Sequence, residues 1–228
     1  MKQEIYRGDI MFNLVKKDLK LSTKINIFAV VYAMFISAMG MNVPVDLPIN
    51  IMYILGIIML VFISVIYSIG YDDKNKSEVV LNSFPIDRVD IVRGKYVTLI
   101  IFILIGSVFT LLFTNAIEAL GLKSAGRPAD IWDIVAAMSL LLVFYSVYYP
   151  LYFKLGDLRM FNSILWMLVF VGPTILGKIG RKLESKGLLK GMASLNIRQI
   201  TLFAFIFSIL IYYISLQISK KIYMTREF

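Results

Sequence analysis

Gly172-Pro173-Thr174-Ile175-Leu176-Gly177-Lys178 fits the first seven positions of a phosphate-binding loop. In such a loop the glycines let backbone N–H groups approach a phosphate and the lysine reaches its oxygens. The eighth position is Ile179, where the chemistry needs a Ser or Thr hydroxyl to hold Mg²⁺. The middle of the stretch is apolar and no soluble β-strand precedes it, so we read it as no nucleotide site. Other catalytic chemistry lacks its residues altogether. Histidine and cysteine are both absent. That removes zinc clusters, thiol chemistry, disulfides and any histidine-activated serine. No ionisable residue falls near the middle of an apolar run, which leaves a proton or sodium route without its carrier group. We therefore assign no catalytic residue, no metal and no cofactor to this chain, and expect it not to be an enzyme by itself.

The polar signal that remains is a stretch that could dock a partner. It reads Asp72-Asp73-Lys74-Asn75-Lys76-Ser77-Glu78-Val79-Val80-Leu81-Asn82-Ser83-Phe84-Pro85-Ile86-Asp87-Arg88. Charges of both signs surround a short apolar set. Val80, Leu81 and Phe84 stand at i, i+1, i+4, which gives a short helix one adhesive face. Pro85 should stop that helix at Phe84. A mere connector needs only a few residues. The length and patterning of 72–95 instead suggest a surface for another protein.

The elements that must carry this stretch are apolar. Of the 228 residues 59% are hydrophobic, and the mean hydropathy is +0.78. Six charge-free runs, 25–41, 47–71, 96–117, 134–153, 160–177 and 199–219, are each long enough to cross a bilayer. About 20 helical residues span roughly 30 Å of hydrocarbon. No strict alternation supports a β-barrel. The expected fold is an all-α integral membrane protein, a single domain over 1–228. It has six transmembrane helices and too little chain left for a nucleotide-binding domain. Residues 9–24 read as an N-terminal amphipathic helix on the membrane interface. Phe12, Val15 and Leu19 share one side of it, and Lys16, Lys20 and Lys24 another. The polar start carries no cleavable signal pattern.

The charge bias sets an orientation. With both termini cytoplasmic, the inside segments carry most of the 24 Lys and Arg residues. The exception is the basic loop before the last run, with Arg181, Lys182, Lys186 and Lys190. It alternates with Leu183, Leu188 and Leu189, a pattern suited to short helices on the outer leaflet; a different topology for the last two spans is the alternative. Net charge is +9, and we assign it to the membrane surface, with no nucleic-acid partner. Two runs hold internal prolines, Pro150 and Pro173. Both should kink or unwind their helices locally. Such a break persists in a membrane only where protein or a wet cavity satisfies the freed carbonyl. Tyr145, Tyr148, Tyr149 and Tyr152 make the fourth run unusually aromatic. They form either an interfacial belt, the commoner arrangement, or part of a path for an amphipathic substrate. The candidate path residues are Tyr145, Tyr148, Tyr149 and Trp166.

Taken together, three features resemble the permease subunits of ABC-2 type transporters: the basic N-terminal stretch Phe12-Asn13-Leu14-Val15-Lys16-Lys17-Asp18-Leu19, six spans, and the 72–88 loop followed by Gly94-Lys95-Tyr96. More narrowly, the chain is similar to the membrane subunits of bacterial exporters of phenol-soluble modulins and antimicrobial peptides. The resemblance implies a coupling helix between spans 2 and 3 that fits a cleft in a separate ATP-binding cassette ATPase. Its residues here would be Asp72, Asp73, Asn75, Lys76, Glu78, Leu81, Phe84, Pro85, Ile86 and Arg88. It implies pairing with a second copy or a paralogous permease, short external helices before the last span, and ATP with Mg bound by the partner ATPase. It also implies amphipathic peptide cargo and a place in the bacterial plasma membrane. In that mechanism Leu81, Phe84 and Ile86 are gripped by the ATPase, with Asp72, Asp73, Glu78 and Arg88 at the rim. Two other readings stay open: a stand-alone immunity or sensor protein that binds toxin peptides, and an exporter of lipid or polysaccharide.

Overall fold

A computed structural model describes residues 2–42, 49–84, 86–121, 126–156 and 196–226. Among these residues every element is a helix: α1 (Lys2–Leu21), α2 (Thr23–Met41), α3 (Ile51–Lys74), α4 (Ser77–Ser83), α5 (Arg88–Ala119), α6 (Ile131–Leu155) and α7 (Ile197–Thr225). Five of them, α2, α3, α5, α6 and α7, are long and apolar enough to cross a membrane. The expected span 160–177, with its Pro173, lies outside the described residues, as do the phosphate-loop look-alike and the basic loop 178–195.

The long helices overrun the apolar runs at their ends. α5 begins at Arg88 rather than near 96, and α7 continues to Thr225 rather than 219. Charge marks where the hydrocarbon stops, not where helical hydrogen bonding stops; Arg and Lys are good helix formers. Local chemistry sets the starts. Asn50, Asp87, Asp130 and Asn196 each accept a hydrogen bond from a backbone N–H of the first turn they precede. At Asp130 the cap is reciprocal, because Asp133 reaches back to the Asp130 N–H at 2.9 Å.

α2, α3 and α5 form one group; α6 and α7 pack along much of their length as a second; α3–α6 and α5–α7 contacts join the two. Small residues set the close approaches. A Cβ at Gly40 would overlap the Tyr53 ring, and one at Gly56 would overlap Ile36. Helices in lipid gain no hydrophobic drive from meeting one another, so this dispersion contact is what binds them. Several hydroxyls inside the spans bond back to their own helix, as Ser64 does to the Leu60 carbonyl and Thr110 to that of Gly106, both at 2.9 Å. α7 turns Phe203, Phe207, Leu210 and Tyr213 outward, the apolar surface a bilayer requires.

α6 runs through Pro150 as one helix, so the chain does not unwind there. Proline at 150 removes the donor that would bond the Ser146 carbonyl. Ser215 of α7 supplies one instead: its hydroxyl donates to that carbonyl at 2.6 Å. The Tyr96 hydroxyl lies 2.7 Å from Ser215 Oγ and 2.8 Å from Ser219 Oγ. Ser215 has one proton, and it is committed to Ser146. Tyr96 must therefore donate to Ser215 and accept from Ser219. One hydroxyl chain thus repairs the proline defect and ties α5, α6 and α7 together.

Candidate functional site

α4 is a seven-residue helix held between two turns. Lys76 adopts a left-handed backbone conformation (φ 50°) where the chain leaves α3, and Phe84 returns to extended backbone after α4. α4 therefore crosses the end of the bundle instead of prolonging α3. Its two faces differ. Val79, Val80 and Phe84 are more than half exposed. Leu81, and Ile86 beyond the turn, are partly buried against the core.

The back of α4 is tied to the C-terminal turn of α7. The Asn82 amide donates to the Tyr223 hydroxyl at 3.0 Å. Arg88, at the start of α5, donates to the carbonyls of Met224 at 3.3 Å and Arg226 at 2.9 Å. Arg226 in turn donates to the Phe153 carbonyl of α6 at 3.3 Å and lies over Gly156 (φ 74°) at the end of α6. The C-terminal turn of α7 and the residue after it thus meet α4, α5 and α6 at once. A cavity of about 260 Å³ lies behind α4, walled by Leu81, Ile91, Tyr152, Phe153 and Tyr223, with Asp72 and Lys95 also lining it.

Beside the cavity, four charges are drawn into the protein. Lys95 of α5 contacts Asp72 of α3 at 2.5 Å and Asp18 of α1 at 3.0 Å. Lys17 of α1 contacts Asp72 at 2.8 Å and Asp18 at 3.3 Å. Asp18, Asp72 and Lys95 are buried, while Lys17 keeps about 30% of its side chain exposed. The two cations and two anions balance. Their burial is tolerated because each charge meets two of opposite sign; stripping one partner leaves an unpaired charge in a dry place.

The opposite end of the bundle has its own clasp. Arg127 grips the fully buried Asp133 through both terminal nitrogens, at 2.8 and 2.9 Å. The Asp133 carboxylate also accepts the Asn50 backbone N–H at 2.6 Å. The bonds that Arg127 donates to Asp133 push its guanidinium further above its already high range, with burial working the other way. The Tyr53 hydroxyl donates to the Arg127 carbonyl at 2.9 Å, and Gly126 N–H to that of Met41 at 2.7 Å. This joins the end of α2 and the start of α3 to the segment that leads into α6.

The residues expected on the docking face divide between the two sides of α4. Phe84 is exposed, whereas Leu81 and Ile86 contact the helical core. Asp72, expected at the rim, is buried in the four-charge junction because the antiparallel α3–α5 pair sets it opposite Lys95. Arg88, also expected at the rim, is turned onto the C-terminal turn of α7. Asp73 and Lys76 line the mouth of the cavity, and Asn75 ends α3 with its amide on the Tyr71 carbonyl at 2.9 Å. Pro85, Trp166 and the Glu78 side chain lie outside the described residues. The four tyrosines of α6 form no external belt. Tyr145, Tyr148, Tyr149 and Tyr152 are buried in an aromatic cluster that takes in Tyr96 of α5 and Tyr212 of α7, with the Tyr149 hydroxyl on the Lys95 carbonyl at 3.2 Å. Asp18, Lys95, Asn82, Tyr223 and Ser215 escaped sequence reasoning as site residues. The signal for one pair was legible: Asp72 just after the second run and Lys95 just before the third carry opposite charge at matched heights. Among the described residues no group of three or more His, Cys, Asp or Glu is placed to hold a metal ion.

Compared with known families, residues 13–224 match the family described as ABC-2 family transporter protein. No curated protein and no solved structure matches the chain.

Proposed function

This chain belongs to the ABC-2 transporter family, and we propose that it is the membrane subunit of an ATP-driven exporter in which α4 is the coupling helix that docks a separate ATP-binding cassette ATPase. The observation that carries the assignment is the two-sidedness of α4. Val79 and Val80 on α4 and Phe84 just after it form an exposed apolar patch on a short helix outside the candidate spans. Apolar side chains clustered on such a helix call for a protein partner. The same helix is fixed behind by Asn82 on Tyr223 and by the Arg88 bonds just beyond it. A load applied at Phe84 therefore reaches α5, α6 and α7.

In this reading the α4 end and both termini are cytoplasmic, α1 lies along the inner face of the plasma membrane, and the apolar run 160–177 supplies the sixth span. Two permease chains, identical or paralogous, enclose the route. Tyr145, Tyr148 and Tyr149 are enclosed by helices of one chain, so cargo reaches them only when α6 and α7 part. The proposed cargo is an amphipathic peptide, as the narrower resemblance implies. ATP and Mg belong to the partner.

The test is to co-express the chain with the cassette ATPase encoded beside it and measure complex formation and ATP hydrolysis. Truncating Phe84 removes a large apolar contact from a docked interface, worth about 2 kcal/mol, which is over tenfold in affinity. Phe84→Ala and Val80→Ala should each weaken the complex while the chain keeps its helical content. Wild-type association in both variants would sink the docking assignment. Failure of the unaltered chain to form a complex would sink the exporter reading.

A further inference from the structure

We propose that Arg93 of α5 and Lys220 of α7 hold the phosphate of an anionic phospholipid at the rim of the seam between these two helices. The antiparallel register of the pair brings the two cations to one level. The Tyr96 hydroxyl lies against Ser215 and Ser219, and the Tyr212 hydroxyl donates to the Tyr96 carbonyl at 2.8 Å. Arg93 stands three residues before Tyr96, about 4.5 Å along α5, and Lys220 follows Ser219 directly. Both steps lead towards the α4 end of the bundle. There the two side chains repel one another across the seam. An anion set between them turns that repulsion into attraction.

The charges at the rim do not balance. Arg93 meets the buried Asp90 at 3.4 Å, and the same carboxylate attracts Lys220. Lys220 itself donates to the neutral Gln217 amide oxygen at 3.4 Å. Two cations against one carboxylate leave one positive charge over, which is what a phosphodiester neutralises. Arg93 keeps 42% of its side chain exposed and Lys220 is partly exposed, so a headgroup can reach both. A guanidinium and an ammonium together offer a phosphate several charge-assisted donors.

The surface beyond the cations selects a lipid over a free phosphate. Val97, Ile100 and Leu104 follow Arg93 on one face of α5, at i+4, i+7 and i+11. Leu216, Tyr213 and Ile209 precede Lys220 on one face of α7 at the same spacings. Ile100, Leu104, Tyr213 and Ile209 are exposed, and Val97 and Leu216 are partly so. Each helix thus presents a cation at the α4 end and an apolar stripe leading away from it. An acyl chain lies along the stripes while its headgroup sits on the cations. Basic sites between transmembrane helices hold lipid headgroups in this way.

The chain has no cysteine, so one introduced thiol carries a fluorophore to a chosen place. The full chain with bimane on Ile100→Cys is reconstituted in phosphatidylcholine bilayers. It is then quenched by phosphatidylglycerol or by phosphatidylcholine, each bearing a nitroxide on its acyl chain. Val147→Cys is the reference. It is exposed on α6 and stands seven residues from Lys154, as Ile100 stands seven from Arg93. At Ile100 phosphatidylglycerol should be preferred by about fivefold, the effect of one cation near anionic lipid, and at Val147 by less. Arg93→Gln together with Lys220→Gln should bring the preference at Ile100 down to the Val147 level, with helical content unchanged by circular dichroism. An equal preference at the two places, or one that survives the double variant, overturns the proposal. So does a failure of both lipids to quench at Ile100, which would mean that a protein surface, such as a second copy of this chain, covers the seam.

Discussion

Replacing Ser215 by alanine should expose the defect that Pro150 builds into α6. Pro150 has no N–H, so the Ser146 carbonyl has no helical partner, and the Ser215 hydroxyl at 2.6 Å is its donor. Both serines are buried, so no bulk water takes the place of the lost donor. An unsatisfied buried carbonyl costs about 1–3 kcal/mol, and interhelical hydrogen bonds in membranes reach about 1.7 kcal/mol. We expect Ser215→Ala to cost about 1.5 kcal/mol within those ranges. Tyr96 keeps its second partner, Ser219, at 2.8 Å, which limits the further loss. In a Pro150→Ala background the residue at 150 regains its N–H and bonds the Ser146 carbonyl within the helix. There Ser215→Ala should cost only about 0.5 kcal/mol, the ordinary value of one polar contact. The coupling energy is then about 1 kcal/mol. It can be measured as a double-mutant cycle by reversible SDS unfolding in mixed micelles, followed by tryptophan fluorescence and circular dichroism. Equal costs of Ser215→Ala in the two backgrounds would refute the idea that Ser215 is there to repair the proline site.

Lys95→Met should be among the most damaging single changes, by about 3–5 kcal/mol, because it leaves two buried carboxylates with only Lys17 to balance them. The charge-balanced double variant Lys95→Met with Asp72→Asn should recover a measurable part of that loss; no recovery in the same unfolding assay would mean that packing around Lys95, not charge, sets the cost. Gly156→Ala should cost about 1–3 kcal/mol, since its φ of 74° is a conformation L side chains rarely adopt. The added Cβ also displaces the mobile end of Arg226, yet the backbone penalty should persist in an Arg226→Ala background. Disappearance of the cost there would locate it in the guanidinium contact instead.

Hydropathy made the helices legible because every described span carries one uninterrupted apolar run. The short helix ending before Pro85 was legible as well, from Val80, Leu81, Phe84 and the proline itself; the structure ends α4 at Ser83. Which way α4 faces was not. Leu81 and Phe84 are equally apolar in sequence, and only the placement of Tyr223 and Arg226, well over a hundred residues away, decides that Leu81 is inside and Phe84 outside. The aromatic cluster failed for a similar reason. A tyrosine serves a membrane interface and a helix junction equally well, since it has an apolar ring and one polar atom. Its role follows from partners on other helices: Lys95 for Tyr149, Ser215 and Ser219 for Tyr96. The continuity of α6 through Pro150 likewise depends on one hydroxyl from α7, which no local pattern announces.

α4 reaches the spans along two separate routes, and the difference between them bears on how a docked motor would act. The first runs through α7. Asn82 and Arg88 hold its last turn, Arg226 holds the end of α6, and the Tyr96–Ser215–Ser146 chain binds α5, α6 and α7 further along. These are directional bonds to backbone carbonyls and to buried hydroxyls, and they tie α4, the start of α5, α6 and α7 together. The second route runs through the junction of Lys17, Asp18, Asp72 and Lys95. There each cation faces two carboxylates, so pairings can shift without losing charge balance. On the proposed reading, a push on Phe84 moves the α6–α7 pair as a unit, while α1 and α3 give way at the junction. The first route transmits because its bonds are directional and end on backbone carbonyls or on hydroxyls held within packed helices. The second yields because its partners are interchangeable.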